Sequence, residues 1–130
     1  MSTIGALTQP SSTILLAEDD LDMRDIIQEL LETIGCDVIP ARTGRQALDF
    51  LFADAMLPPD IIILDLMMPL VTGWQVLTIV QHDPVLANIP VVILTAVSED
   101  KPRGAAAFLH KPFRVNALLD TVRRLRPQAA

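Results

Sequence analysis

Between Thr13 and Arg126 the chain alternates short, unbroken apolar runs with longer stretches in which apolar residues recur every three or four positions. The runs are TILLAE (Thr13 to Glu18), CDVIP, DIIIL, IPVVILT and a weaker AAAFL. Their length and their charged or turn-forming boundaries predict five strands. The stretches between them predict amphipathic helices. Met23, Ile26, Ile27, Leu30, Leu31 and Ile34 mark the inner face of the first, which stops at Gly35. Thr43 is the candidate N-cap of a second, TGRQALDFLFADA, with Ala47, Leu48, Leu51 and Phe52 facing inward and Pro58 and Pro59 beyond it. TGWQVLTIVQHD is a third. Val115, Leu118, Leu119, Val122 and Leu125 line the last.

Continuous apolar strands alternating with helices imply a parallel sheet covered on both faces. Right-handed crossovers make a doubly wound α/β sheet the expected architecture. Pro40 lies inside the second run, and a strand proline is tolerated at a sheet edge. That favours a flavodoxin-like five-stranded sheet in the order 2-1-3-4-5. One connection is too short for the pattern. Only Ala96 to Gly104 separates the fourth strand from AAAFL, whereas a crossover with its helix needs at least about ten residues. Pro102 and Gly104 oppose a helical second half. The fourth helix is therefore expected to shrink to about one turn, capped by Ser98, or to be missing.

Composition narrows the setting. A chain of 130 residues, 51% apolar and 20% charged, is expected to form one domain with a sizeable core. The expected domain runs over 13–126, between a flexible tail at 1–12 and a short one at 127–130. Net charge −6 and pI near 4.6 oppose nucleic-acid or anionic-membrane surfaces. The single cysteine, Cys36, reads as a small buried apolar group and excludes an intramolecular disulfide. MSTIGALTQPSS has no basic start and no long apolar stretch, so no signal peptide is expected. No apolar run approaches membrane-spanning length, and the expected location is cytoplasmic.

Chemistry enters at DIIILDLMMP, where Asp65 sits between two apolar segments. A buried, unpaired carboxylate is costly and demands a counter-charge. In this winding, ligands bind beyond the carboxyl ends of the strands, where strands one and three diverge. Strand one ends at Glu18, Asp19 and Asp20, strand three at Asp65, strand four at Thr95, and strand five runs into Lys111. Converging carboxylates repel one another, and a divalent cation relieves them; an all-oxygen site with few protein ligands suits Mg²⁺. Lys111 adds a second positive charge. A carboxylate so placed can attack a phosphoryl donor and become an aspartyl phosphate.

ILLAEDD, IIILDLMMPLVTGWQVL, VVILTA and FLHKPF, in this order, resemble the receiver domain of two-component response regulators over roughly residues 13–126. The resemblance implies that Asp65 is the phospho-acceptor, Asp19 the principal acidic Mg²⁺ ligand, and Glu18 its neighbour acting through water. It implies that the Met67 backbone carbonyl completes the metal shell and that the Thr95 hydroxyl bonds the phosphoryl group. Phe108 matches the aromatic that moves inward on activation, Lys111 the phosphate-pairing lysine, and Pro112 a cis-proline. The partners implied are a sensor histidine kinase or a histidine phosphotransfer protein, and an unknown downstream protein. The chain is not expected to be an enzyme beyond its own phosphorylation and slow dephosphorylation. Met67 and Val97 match the two positions that flank the hydrolytic water's path, and both are apolar here with no group to orient water, which implies a long-lived phosphoryl group.

Alternatives remain. An aspartyl-phosphate hydrolase needs a second acid two residues past the nucleophile, where Met67 stands. A flavin or nucleotide carrier needs a Gly/Ser/Thr-rich first loop, which reads Glu-Asp-Asp. A degenerate receiver that only binds proteins should have a broken acidic set. With no further module after the last helix, a stand-alone receiver is expected. Loss of the fourth helix removes the family's usual dimer face, so a monomer is expected, binding partners through the first helix, the last helix or the active-site loops. Bland roles suit several residues: Asp20 as a helix cap, Met67 and Met68 as packing, His82 and His110 as solvated surface. Arg123, Arg124 and Arg126 read as cations at a helix carboxyl end.

Overall fold

A computed structural model describes residues 11–53, 57–96 and 102–127. Five strands, β1 (Ser12–Ala17), β2 (Cys36–Ala41), β3 (Ile61–Asp65), β4 (Val91–Thr95) and β5 (Ala107–His110), form one sheet. All pairings are parallel and the order is β2-β1-β3-β4-β5, as the strand proline requires. Pro40 lies on the edge strand β2, opposite Leu16. The helices are α1 (Leu21–Glu32), α2 (Gly44–Leu51), α3 (Gly73–His82) and α4 (Val115–Leu125).

Alternate strand residues feed two cores, because successive side chains on a strand point to opposite faces. Ile14, Leu16, Ile61, Ile63, Val92 and Leu94 pack with Ile27 and Leu31 of α1 and Leu118 and Val122 of α4. Leu15, Ile62, Leu64 and Ile93 pack with Ala47 of α2 and Val76, Leu77 and Val80 of α3. Both faces are thus covered, which is why the central strands read as unbroken apolar runs. The helix starts are capped as their residues allow. Asp20 accepts from Met23 N–H, Thr43 from Gln46 N–H, and Thr72 with Gln75 forms a reciprocal capping box at α3.

Several expectations need correction. Ser12 already belongs to β1, one residue before the expected start. Ile26 and Phe52 are solvent-exposed rather than inward; Arg24 takes the inner position on α1 instead. A 3₁₀ turn at Leu86–Asn88, not foreseen, is fixed by Asp83, whose carboxylate accepts from Val85 and Leu86 N–H. Arg126, the C-cap of α4, has a role not foreseen: it donates to the Ile34 carbonyl at 2.8 Å, tying the end of α4 to the end of α1. Of the methionine pair only Met68 is packing, while Met67 is exposed.

Among the described residues no helix lies between β4 and β5. Residues 97–101, where one turn capped by Ser98 was expected, lie outside them. The return to β5 is held from the side of α3. Gln81 donates to the Arg103 carbonyl at 2.7 Å, and Pro102 and Ala105 are buried. Gly104 has φ 89°, and a Cβ there would fall on the Gln81 amide nitrogen, so both its conformation and its lack of a side chain are used. No described helix is long and apolar enough to cross a membrane.

Candidate functional site

The parallel register delivers the acidic residues to one place. Ala17 of β1 lies opposite Leu64 of β3, so Glu18 and Asp65, one step further, emerge side by side. Glu18 is 0% exposed and Asp65 3% exposed, whereas Asp19 faces solvent. One carboxylate oxygen from each of the three lies within 4.8 Å of the others. Lys111 reaches them from beyond β5, its Nζ 2.5 Å from Glu18 Oε1 and 3.1 Å from Asp65 Oδ2. Two nearly buried carboxylates therefore share one ammonium.

The loops supply the remaining order. Asp65 Oδ1 accepts the Met67 N–H at 2.9 Å, which fixes the carboxylate's orientation. Glu18 Oε2 accepts from Asp20 N–H at 3.3 Å. Thr95 is buried at the end of β4, the strand next to Asp65, and its carbonyl accepts the Lys111 N–H at 2.7 Å. The Lys111–Pro112 peptide is cis. Phe108 is half-buried on β5 and packs against the α2–α3 layer. The side chains of His82 and His110 are exposed; His82 Nδ1 lies 2.8 Å from the Thr78 carbonyl.

Burial and neighbouring charge both act on the groups of this pocket. Burial pushes the Glu18 carboxyl up to about 7; Lys111 pulls against this and Asp65 adds to it. Burial also works against the Lys111 charge, but its bonds to Glu18 and Asp65 outweigh that and raise its pKa. A hard cation among three carboxylate oxygens fits this donor set.

Three contributors escaped the sequence reading. Arg24, 6% exposed, donates to the Glu18 carbonyl at 2.8 Å and holds the end of β1 from beneath. Its spacing to Ile27 and Leu31 (i, i+3, i+7) was the available signal. Gly73 opens α3 against the backbone of the acceptor. A Cβ there would stand 2.2 Å from the Asp65 carbonyl oxygen and 2.6 Å from Leu66 Cα. Leu70, with φ 66°, turns the loop between Asp65 and α3 through the left-handed region, which no signal in a leucine announces.

Comparison with known proteins agrees with this geometry. The response regulator receiver domain profile matches residues 14–123. The chain belongs to that family. The receiver is 30% identical to the polar-differentiation response regulator DivK of Brucella anthropi, over 88% of this chain and 94% of DivK. It is 37% identical to the DNA-binding dual master transcriptional regulator RpaA of Synechocystis, over 90% of this chain and 52% of RpaA. It spans about half the length of several such relatives. Among solved structures, the chemotaxis response regulator CheY4 of Vibrio cholerae superimposes with TM-score 0.77 at 28% identity, over 89% of this chain and 99% of CheY4. A response regulator from Chloroflexus aurantiacus gives TM-score 0.80 at 25% identity, over 89% of this chain and 98% of that one.

Two outcomes follow from the site's construction. Gly73→Ala should cost about 1–3 kcal/mol in urea unfolding, because the Asp65–Leu66 backbone must shift away from the new methyl. Wild-type stability would show that the loop yields freely. The second concerns pH. The folded receiver holds the Glu18 proton more tightly than the unfolded chain. This contribution is therefore complete below about pH 4.5 and lost as pH rises through about 7. Metal-free receiver should lose on the order of 1–3 kcal/mol relative to Glu18→Gln between about pH 4.5 and 8. Parallel pH profiles for the two proteins would refute the shift.

Proposed function

We propose that this receiver takes a phosphoryl group from a phosphohistidine onto Asp65, with Mg²⁺, and thereby changes its binding to a downstream protein. The donor is a sensor histidine kinase or a histidine phosphotransfer protein of a two-component system or phosphorelay, acting in the cytoplasm. The observation that carries the reading is the grouping of a nearly buried Asp65, the Lys111 ammonium at 3.1 Å, and two further carboxylates within 4.8 Å.

The chain's own groups account for each part of the transfer. An Asp65 carboxylate oxygen attacks phosphorus; the donor's P–N bond breaks and its electron pair stays with the imidazole. The N–H of Met67 holds the carboxylate by its Oδ1, so the attacking group is presented in one orientation. Lys111 pairs with charge growing on the phosphoryl oxygens, and the Thr95 hydroxyl donates to one of them. Glu18, Asp19, Asp65 and the Met67 carbonyl are the groups that would hold Mg²⁺. When bound, the ion supplies further positive charge at the phosphoryl oxygens and neutralises the acidic set. Phe108 moves inward once Thr95 is engaged, carrying the change to the outer surface. The protein modifies only itself and is not a turnover enzyme. A net charge of −6 makes its target a protein rather than a nucleic acid.

Incubation with a small acyl-phosphate donor and Mg²⁺ should label the wild type with acid-stable, base-labile phosphate. Asp65→Asn should abolish the label while keeping the fold. Asp19→Asn should weaken Mg²⁺ binding about tenfold, the scale of a 1.4 kcal/mol loss. Equal labelling of Asp65→Asn and wild type would reject Asp65 as the acceptor.

Lifetime is a separate outcome. Met67 lies on the exposed side of the acceptor and has no group that orients water; its expected counterpart, Val97, lies outside the described residues. Met67→Asn should shorten the half-life of the phosphorylated protein, measured by decay of the label after donor removal. An unchanged decay would separate Met67 from hydrolysis.

A further inference from the structure

Arg24 lies on the inner side of α1 and is buried. A buried arginine normally has a carboxylate opposite it. Among the described residues Arg24 forms no ion pair. Its Nη1 instead donates to the Glu18 carbonyl at 2.8 Å, a bond that is itself buried. Attachment of α1 does not require this bond, because Ile27 and Leu31 already pack with Ile14 and Leu16 of β1. A charge is taken out of water here to hold one main-chain oxygen.

What that oxygen controls is Asp19. The Glu18 carbonyl belongs to the peptide plane before Asp19, and the Asp20 N–H to the plane after it. Arg24 holds the first, and Glu18 Oε2 holds the second by accepting from Asp20 N–H at 3.3 Å. Because peptide units are planar, holding both planes fixes the two soft dihedrals of the residue between them. The neighbours are anchored in turn. The Glu18 N–H donates to the Ala41 carbonyl at 3.1 Å, and Asp20 Oδ1 accepts from Met23 N–H at 3.0 Å. The Arg24 N–H closes the ring on the Asp20 carbonyl at 2.9 Å. Asp19 itself is exposed, yet one of its carboxylate oxygens lies within 4.8 Å of oxygens from Glu18 and Asp65. An exposed side chain takes that placement from its backbone, since no packing surrounds it.

We infer that Arg24 is a positioning residue for the metal site: by fixing the Glu18–Asp19 peptide it aims the Asp19 carboxylate at the cation. This rests on the reading of the acidic set as a Mg²⁺ site and extends it to a residue outside the ligand set. Nothing in it depends on phosphorylation of Asp65. Charge and position make opposite demands on Arg24. A positive group beneath the acids opposes a second cation, so its charge alone weakens Mg²⁺ binding. Its hold on the Glu18 carbonyl strengthens binding, because the ligand is already oriented before the ion arrives. Removal of the side chain therefore tells the two apart by the sign of the change.

The experiment is a Mg²⁺ titration followed by amide NMR shifts, with no phosphoryl donor present. Arg24→Met should weaken Mg²⁺ binding about fivefold, the scale of releasing one residue's backbone. In the Asp19→Ala background the same change should alter affinity by less than about twofold, because the carboxylate it aims is gone. Arg24→Lys keeps the charge on a shorter stem without the guanidinium fork. It should show the same loss as Arg24→Met, and it replaces that variant in the cycle if circular dichroism finds Arg24→Met unfolded. Wild-type or tighter Mg²⁺ binding in the folded variant overturns the inference. So does an equal loss with and without the Asp19 side chain. A wild type that binds no Mg²⁺ rejects the metal reading itself, and the positioning role falls with it.

Discussion

The structure turns on two carboxylates, Glu18 and Asp65, delivered by neighbouring parallel strands into one nearly buried pocket and sharing a single ammonium. Their proximity is not adjustable. Strand register sets it: Ala17 pairs with Leu64, and a slip of one residue would draw a carboxylate back into the apolar sheet. With Asp19 at the rim, three carboxylates face one lysine, and two negative charges remain without an opposite. Burial above all, with Asp65 adding to it against Lys111, pushes the Glu18 carboxyl up to about 7, so the metal-free chain lessens the imbalance by retaining a proton. A cation, or a phosphoryl group arriving with one, meets a site already held together at a cost in repulsion.

Lys111 has to cross from the far edge of the sheet to reach these acids, and the backbone makes that possible. Its N–H extends the β4–β5 pairing by one step, donating to Thr95, and the chain then turns at the cis bond to Pro112. Thr95 and Lys111 are thereby fixed to each other through main chain, whatever their side chains do. On the opposite flank, Gly73 brings the start of α3 into backbone contact with the acceptor, and the Thr72–Gln75 capping box fixes where that helix begins. The pocket is a junction of strand ends and one helix start. Asp19 and Met67 lie exposed at its rim.

Much of this was legible because it depends on period and order. Five apolar runs, four helical faces and one strand proline suffice to give the sheet order. Glu18, Asp19, Asp65, Thr95 and Lys111 gather because each ends a strand or follows one within two residues. What escaped depends on close approach instead of pattern. Gly73 looks like any glycine at a helix start until its Cα is seen against the Asp65 carbonyl. Arg24 occupies an inner position that charge argues against, and it is tolerated because its guanidinium finds the Glu18 carbonyl. Phe52, assigned inward by period, lies at the helix end, where the chain departs from helical geometry and period no longer orients a side chain.

The short crossover before β5 shows how the return to an edge strand is held from neighbouring elements. An edge strand normally depends on the helix that precedes it to cover its inner face and to set its register. Here β5 has only four residues, and α4 supports it on one face. On the other, Ala105 enters the α2–α3 core and Phe108 packs at its edge. The Ala106 N–H donates to the Val91 carbonyl just before the strand proper begins, so pairing to β4 starts as soon as the chain arrives. Gln81 then holds the Arg103 carbonyl, and that hold requires the bare backbone of Gly104. α3 is consequently tied to the pocket at one end, through Gly73, and to the return from Thr95 at the other, through Gln81. Any displacement of that return must either break the Gln81 bond or move the carboxyl end of α3, because a single amide links the two.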